Sequence, residues 1–173
     1  MKHTLTGILA ATGIAALTTF TVAAQGPVRV EMKDAQGQSL GTATVTAAMG
    51  GAHIQLDLKG LTPGEHALHV HATPKCEGPA FTSAGGHFNP AGKKHGLKSP
   101  DGAHAGDMEN FVVAADGTAK GMVMAHGVTL GSEANSVFAN GGTALVIHAK
   151  GDDGVTDPAG AAGDRIACGV IVK

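Results

Sequence analysis

The sequence predicts an all-β protein, an eight-stranded antiparallel Greek-key β-sandwich or barrel with two long functional loops. Apolar residues alternate with polar ones at a period of two, which is typical of half-buried strands. No segment has the 3.6-residue apolar period of a helix of any length. The chain has 27 glycines among 173 residues, and turn signals such as Asp116-Gly117 and Gly141-Gly142 separate the alternating segments. Many short strands joined by such turns predict a sandwich or a barrel.

The first three strands follow one another through tight turns. Residues 28–33 alternate apolar and charged side chains, which predicts the first strand. The turn at Gln36-Gly37 leads to residues 40–48, a segment rich in Thr and Val that predicts the second strand. After Gly50-Gly51, the alternation over residues 54–59 predicts the third.

The later strands are shorter and enclose two long irregular segments. The predicted strands are 66–71, 111–114, 119–125, 143–148 and 166–172. Residues 72–103 and 149–164 are rich in Gly, Pro, Lys and Asp and have no strand periodicity. Irregular loops of this length in a compact domain are usually functional or disordered. Their His and Asp content favours a functional role.

The N-terminus has the pattern of a cleaved secretory signal over residues 1–24. It begins with Lys2, continues through an apolar stretch without a further acidic or basic residue, and ends in Val22-Ala23-Ala24. Its apolar stretch is marginal for crossing a bilayer, which favours cleavage over retention as an anchor. We therefore expect one domain over residues 25–173, exported to the periplasm or outside the cell, without stable membrane insertion.

Charge and composition argue against nucleic acid as a partner. The chain has 12 Lys and Arg against 14 Asp and Glu, and only 3% of its residues are aromatic. It therefore lacks both the basic surface and the stacking residues of a nucleic-acid-binding protein.

Cys76 and Cys168 are its only cysteines. In an oxidising compartment such a pair predicts one disulfide, with two buried free thiols as the alternative. Monomer and homodimer both stay open.

Ten histidines in so small a chain point to metal binding, since the imidazole is the commonest metal ligand. His69-Val70-His71 lies on a predicted strand, where residues i and i+2 face the same side. That pair alone is a weak signal. His148 ends another strand and Asp152 follows in the next loop; a strand end that faces a loop, such as His148, is where a last ligand would lie.

The first long loop and the segment after it supply four more ligand-type residues, His87, His95, His104 and Asp107. Three imidazoles and a carboxylate suit a tetrahedral zinc site, whereas four imidazoles suit tetragonal Cu(II). Without Asp152, six histidines and one aspartate are too many ligands for one ion. They are one too few for two four-coordinate ions, unless one imidazole binds both.

These residues make the chain resemble a copper/zinc superoxide dismutase of the exported bacterial type, a family that is itself a standard example of sandwich architecture. The resemblance covers essentially everything after the signal segment. It rests on His69-Val70-His71, Gly86-His87-Phe88-Asn89-Pro90, His95, His104-Ala105-Gly106-Asp107, His148 with Asp152, and Arg165-Ile166-Ala167-Cys168-Gly169.

The resemblance implies one copper and one zinc ion per chain, with superoxide as substrate and oxygen and hydrogen peroxide as products. Copper would be reduced and reoxidised in turn, and zinc would be structural. The implied copper ligands are His69, His71, His87 and His148, and the implied zinc ligands are His87, His95, His104 and Asp107. Asp152 would link His69 with His95, Arg165 would face the anion, His87 and Arg165 would be the catalytic residues, and Cys76 and Cys168 would form the family's disulfide. The alternative is a non-catalytic periplasmic copper/zinc-binding protein on the same fold.

Some residues fall outside this pattern. The segment before Arg165 is short and holds one lysine, Lys150, so steering of the substrate would rest on lysines of the first long loop, unless these are ordinary solvated lysines. The candidates there are Lys75, Lys93, Lys94 and Lys98. We expect His66 to be a structural histidine bonded to the backbone, and His53 and His126 to be surface residues. We expect Met122 and Met124 to fill the core rather than to form a copper-shuttling cluster.

Overall fold

The computed structural model describes residues 26–173, and the predicted signal segment 1–24 lies outside the described residues. The described chain forms nine β-strands. They are β1 (Val28–Asp34), β2 (Ser39–Ala48), β3 (Gly51–Leu58), β4 (Gly64–His66), β5 (Leu68–His71), β6 (Phe111–Val113), β7 (Ala119–Ala125), β8 (Thr143–His148) and β9 (Arg165–Ile171). In this part of the chain the only helical segments are two three-residue 3-10 turns, Thr82–Ala84 and Ala139–Gly141, so the all-β prediction is confirmed.

The strands form a seven-stranded sheet in the order β5-β8-β9-β1-β2-β3-β7 and a two-stranded sheet of β4 and β6. All the pairs are antiparallel. The structure has nine strands rather than eight because the predicted strand 66–71 is divided at Ala67. The Ala67 N–H donates to the Lys150 carbonyl at 2.9 Å, and the Ala67 carbonyl accepts from His148 N–H at 3.0 Å. These hydrogen bonds lie where the chain passes from the two-stranded sheet to the seven-stranded sheet.

The core lies between the inward faces of the strands. On β3, Ala52, Ile54, Leu56 and Leu58 are buried, while the residues between them are half-buried or exposed. All six residues of β8 are buried, because both of its faces are covered. No helix within residues 26–173 has the length and apolar character to cross a membrane.

The prediction that Met122 and Met124 fill the core is wrong. Both lie on β7, where Val123 and Ala125 are buried, whereas Met124 is half-buried and Met122 is 59% exposed. Over residues 122–125 both alternating positions are apolar, so the period of two within this stretch does not reveal which set faces inward; Lys120, two residues before Met122 in the same phase, is exposed. The exposed thioethers lie on the outer face of the sheet.

Two long segments, 72–110 and 149–164, lie against the edge of the large sheet formed by β5 and β8. The disulfide between Cys76 and Cys168 ties the first segment to β9, with 5.6 Å between the two Cα atoms, as predicted. Further along, Gly106 N–H donates to the Phe88 carbonyl and Val70 N–H donates to the Gly106 carbonyl, each at 2.9 Å. A Cβ on Gly106 would collide with the Val70 carbonyl, so glycine is required for this close approach to β5.

Candidate metal centre

Four histidines from two neighbouring strands and a loop converge on one point. His69 and His71 come from β5, and His148 ends the adjacent strand β8. His87 joins them from the first long segment through an isolated bridge to His71. One ligand atom from each of the four residues lies within 4.8 Å of those of the others. We call these residues the four-histidine group.

A second group shares His87 and adds His95, His104 and Asp107, again with ligand atoms within 4.8 Å of one another. Asp107 Oδ1 lies 2.8 Å from His87 Nδ1 and 3.3 Å from His104 Nδ1, and Asp107 Oδ2 lies 3.2 Å from His95 Nδ1. Backbone N–H groups of Gly96 and His104 donate to Oδ2 at 2.9 and 3.0 Å, which fixes the carboxylate. We call these residues the three-histidine carboxylate group. The structure thus brings together all seven ligand-type residues that the sequence indicated.

The imidazoles are held so that one nitrogen of each points into its group without a hydrogen bond. In the four-histidine group, His71 Nδ1 donates to the Gly85 carbonyl at 2.9 Å and His148 Nδ1 donates to the Gly163 carbonyl at 3.1 Å. These contacts leave Nε2 of both residues buried and unpaired. The other buried unpaired nitrogens are His69 Nδ1, His87 Nε2, His95 Nδ1 and His104 Nδ1. Buried polar atoms normally have partners, so this set of donors fits two metal ions.

Asp152 connects the two groups. Its Oδ2 accepts from His69 Nε2 at 2.7 Å, and its Oδ1 accepts from His95 Nε2 at 3.1 Å. Burial alone would raise the pKa of Asp152, but the hydrogen bonds from the two histidines and from Gly154 N–H outweigh burial and lower it. An ionised carboxylate here orients a histidine of each group, as outer partners of metal ligands commonly do.

The protonation states within the groups suit metal binding. Burial disfavours the charged imidazolium and lowers the pKa of His71 to about 2 and that of His148 to about 3. For Asp107, burial raises the pKa, but hydrogen bonds from His87 and from Gly96 N–H prevail and lower it to about 2. At neutral pH the two imidazoles are therefore neutral and the carboxylate is ionised, which are the forms that bind metals.

Arg165 lies at the start of β9, opposite His148 in the register of β8 and β9. Its Nη1 donates to the Phe81 carbonyl and its Nη2 to the Gly85 carbonyl, both at 2.7 Å. The Gly85 carbonyl is the same one that accepts from His71 Nδ1. Arg165 also lines an open cleft of about 540 Å³. The guanidinium is thus fixed beside the four-histidine group and faces solvent.

Two positioning residues carry no sequence signal of their own. Asn110 Nδ2 donates to the Asp152 carbonyl at 2.9 Å, and Asp152 N–H donates to Asn110 Oδ1 at 2.8 Å. Asp157 Oδ1 accepts from His95 N–H at 3.0 Å and its Oδ2 accepts from Lys94 Nζ at 3.1 Å. Neither residue is part of the pattern of ligand-type residues. Asn110 is 42 residues from its partner and Asp157 is more than 60 residues from both of its partners, so no local pattern could reveal them.

Other sequence predictions near the site have clear outcomes. His66 is structural, as expected, since its ring nitrogens lie 2.7 and 2.8 Å from the carbonyl oxygens of His148 and Thr62. Lys98 Nζ donates to the Asp153 carbonyl at 3.2 Å, and Lys94 is paired with Asp157. These two candidate steering lysines therefore tie the two long segments to each other.

Comparisons with known proteins agree with this geometry. The family model described as copper/zinc superoxide dismutase matches residues 39–171. A superoxide dismutase [Cu-Zn] of Aquifex aeolicus is 50% identical over 143 residues, which cover 82% of this chain and 84% of the relative. The superoxide dismutase [Cu-Zn] of Caulobacter vibrioides is 42% identical, with coverage of 81% and 82%.

Solved structures show the same similarity. The Cu/Zn superoxide dismutase from Brucella abortus superposes with a TM-score of 0.69 at 30% identity, covering 84% of this chain and 99% of that one. A SOD-like protein from Bacillus subtilis gives a TM-score of 0.80 at 33% identity, with coverage of 83% and 97%. With the family model matching most of the sequence, and with both metal-ligand groups in place, the chain belongs to the copper/zinc superoxide dismutase family.

Proposed function

We propose that this copper/zinc superoxide dismutase divides its seven ligand-type residues between the two ions according to the two groups. Copper would bind to His69 Nδ1 and to Nε2 of His71, His87 and His148. Zinc would bind to Nδ1 of His87, His95 and His104 and to the Asp107 carboxylate. The observation that carries this assignment is the set of buried nitrogens without hydrogen bonds, one for each of the six histidines. The second nitrogen of His87, Nδ1, is not in that set and faces the Asp107 carboxylate of the zinc group. The carboxylate falls in the group that suits zinc, and the group of imidazoles alone suits Cu(II).

When bound, copper supplies the one-electron couple that converts superoxide to oxygen and hydrogen peroxide, and zinc supplies a fixed charge without redox chemistry. Arg165 would hold the superoxide anion, because its guanidinium is charged, fixed by two carbonyl groups and open to the cleft. Charge held in position before the anion arrives need not be reorganised during the reaction. Arg165 therefore orients a small anion at the face of the four-histidine group.

His87 would serve both ions and also handle a proton. Its Nδ1 faces Asp107, and its Nε2 is buried and unpaired. Nε2 has one lone pair, so it would take up a proton, and pass it on to the departing peroxide, only while it is not a copper ligand, and Nδ1 would keep the ring in place meanwhile. His87 and Arg165 are thus our two candidate catalytic residues, and Asp152 and Asn110 are positioning residues.

We further propose that the protein works outside the cytoplasm as a single domain of residues 25–173, in the periplasm or beyond the cell. The disulfide between Cys76 and Cys168 supports this location, because disulfides persist in oxidising compartments. The pattern of residues 1–24 supports export as well. Sequencing the N-terminus of protein recovered from the periplasm tests the cleavage site, and its mass in solution distinguishes a monomer from a homodimer.

The test of the function is a superoxide dismutation assay on purified residues 25–173. The protein is loaded with one copper and one zinc ion per chain, and the metal content is measured on the same sample. We expect fast turnover that disappears when copper is removed and returns when copper is added back. Full loading without turnover would instead indicate a metal-binding protein that does not react.

A further inference from the structure

The outer face of β3 and β7 carries an unusual set of ligand-type side chains. Met122 is 59% exposed, and Met124 and His53 are half-buried. All three residues alternate with buried core residues of their strands, so they share the outer face of the sheet. This face lies at the edge of the seven-stranded sheet opposite β5, which carries His69 and His71.

The register of the strands brings these side chains together. His53 is directly opposite Met124, and Gln55 is directly opposite Met122. Directly opposed residues have Cβ atoms about 4.5 to 5.5 Å apart, and diagonal neighbours are about 7 to 8 Å apart, within reach of long side chains. The imidazole of His53 and the two flexible thioethers can therefore meet over one patch of the sheet.

Neighbouring polar side chains of this face have other partners. Gln55 Nε2 donates to the Gly121 carbonyl at 2.9 Å. In the next row, Lys120 Nζ lies 3.7 Å from Asp57 Oδ1. The patch of His53, Met122 and Met124 thus offers two thioether sulfurs and one imidazole, without a carboxylate in its own two rows.

The chemistry of this donor set selects the metal. Thioethers are soft ligands that favour Cu(I), imidazole also suits copper, and carboxylate or carbonyl oxygens would be needed for Mg²⁺, Ca²⁺ or Mn²⁺. We propose that His53, Met122 and Met124 form a surface site for one Cu(I) ion, separate from the two groups of the metal centre. This site goes beyond dismutation and does not depend on the assignment of the catalytic ligands.

The first test uses silver(I), which shares the soft-ligand preference of Cu(I) and has no redox change under these conditions. The protein is labelled with ¹³C at the methionine methyl groups and loaded with copper and zinc, and its bound copper is then reduced to Cu(I). We expect one equivalent of silver to shift the methyl signals of Met122 and Met124 only. Met32 and Met108, which are buried, serve as references, and Met49, which is fully exposed in the turn between β2 and β3, is the matched control. Equal shifts at Met49, or none at Met122 and Met124, would overturn the proposal.

Variants then test the donors and the metal. Affinity for Cu(I) is measured without oxygen against a chromogenic Cu(I) chelator, with the catalytic metals already in place and their content checked afterwards. We expect the affinity for the additional Cu(I) ion to fall by at least about 10-fold, or 1.4 kcal/mol, in the double variant Met122→Leu and Met124→Leu. We expect the same loss in the separate variant His53→Gln. Met49→Leu should leave it unchanged. The assignment would be refuted if the patch binds silver but not Cu(I), or if the double variant still binds Cu(I) with unchanged affinity.

Discussion

Replacing Asp152 with Asn should weaken the binding of both metal ions while leaving the fold intact. The carboxylate accepts one hydrogen bond from His69 and one from His95, and its side chain is 7% exposed. An amide has one accepting oxygen and one donating nitrogen, so it can satisfy only one of the two imidazole N–H groups. A hydrogen bond to a charged group contributes about 1.5 to 3 kcal/mol. The metal whose histidine loses its bond should bind roughly 10- to 100-fold more weakly, which is also the usual effect of losing an outer partner. The other metal should lose less, because the bond that remains is no longer made to a charged carboxylate.

Affinities for copper and for zinc are measured separately by competition with chelators, on Asp152→Asn and on the unchanged protein. Asp153→Asn is the matched control, because Asp153 is the next residue, is exposed, and its carboxylate accepts hydrogen bonds from the turn residues Val155 and Thr156 rather than from a histidine. We expect the control to bind both metals normally. Unchanged affinities in Asp152→Asn, or an equal loss in Asp153→Asn, would refute the reasoning.

Four further changes have expected outcomes. His148→Ala should abolish turnover and weaken copper but retain zinc, as metal analysis would show, because His148 belongs only to the four-histidine group. Arg165→Ala should lower kcat/KM while both metals stay bound; an unchanged rate would remove Arg165 from the anion site. Asp164→Asn, in the same cleft as Arg165, should raise kcat/KM at low salt, with the gain vanishing near 1 M salt, where the Debye length is about 3 Å. Replacing Cys76 and Cys168 with Ser should lower the free energy of unfolding by about 4.5 kcal/mol, measured with denaturant, since the crosslink spans 92 residues.

The sequence was sufficient to single out the seven ligand-type residues that the structure brings together, but not the residues that position them. His69 and His71 could be predicted to share a face because strand geometry fixes the relation of residues i and i+2. Asn110 could not be predicted, because it binds the backbone of Asp152 across 42 residues. Such contacts depend on how two long loops meet, and they leave no period or spacing in the sequence.

The same limit explains the errors in the strands. The segment 66–71 alternates as one strand, and only the hydrogen bonds of Ala67 to Lys150 and His148 divide it between two sheets. Over residues 122–125 of β7 the pattern is apolar in both phases, so alternation within that stretch predicts the strand but not its inward face. Local patterns therefore predict elements, while their division and orientation depend on packing with distant segments.

One backbone atom links the proposed chemistry of the ligands with that of the anion. The Gly85 carbonyl accepts from His71 Nδ1 and from Arg165 Nη2. A shift of this carbonyl would move a copper-side imidazole and the guanidinium together, whereas a shift of either side chain alone would break one of its two hydrogen bonds. Gly85 lies in the segment that the disulfide ties to β9, the strand that begins with Arg165. The crosslink therefore holds Arg165 and His71 against a common backbone atom, and we expect its removal to lower kcat/KM through Arg165 as well as the free energy of unfolding.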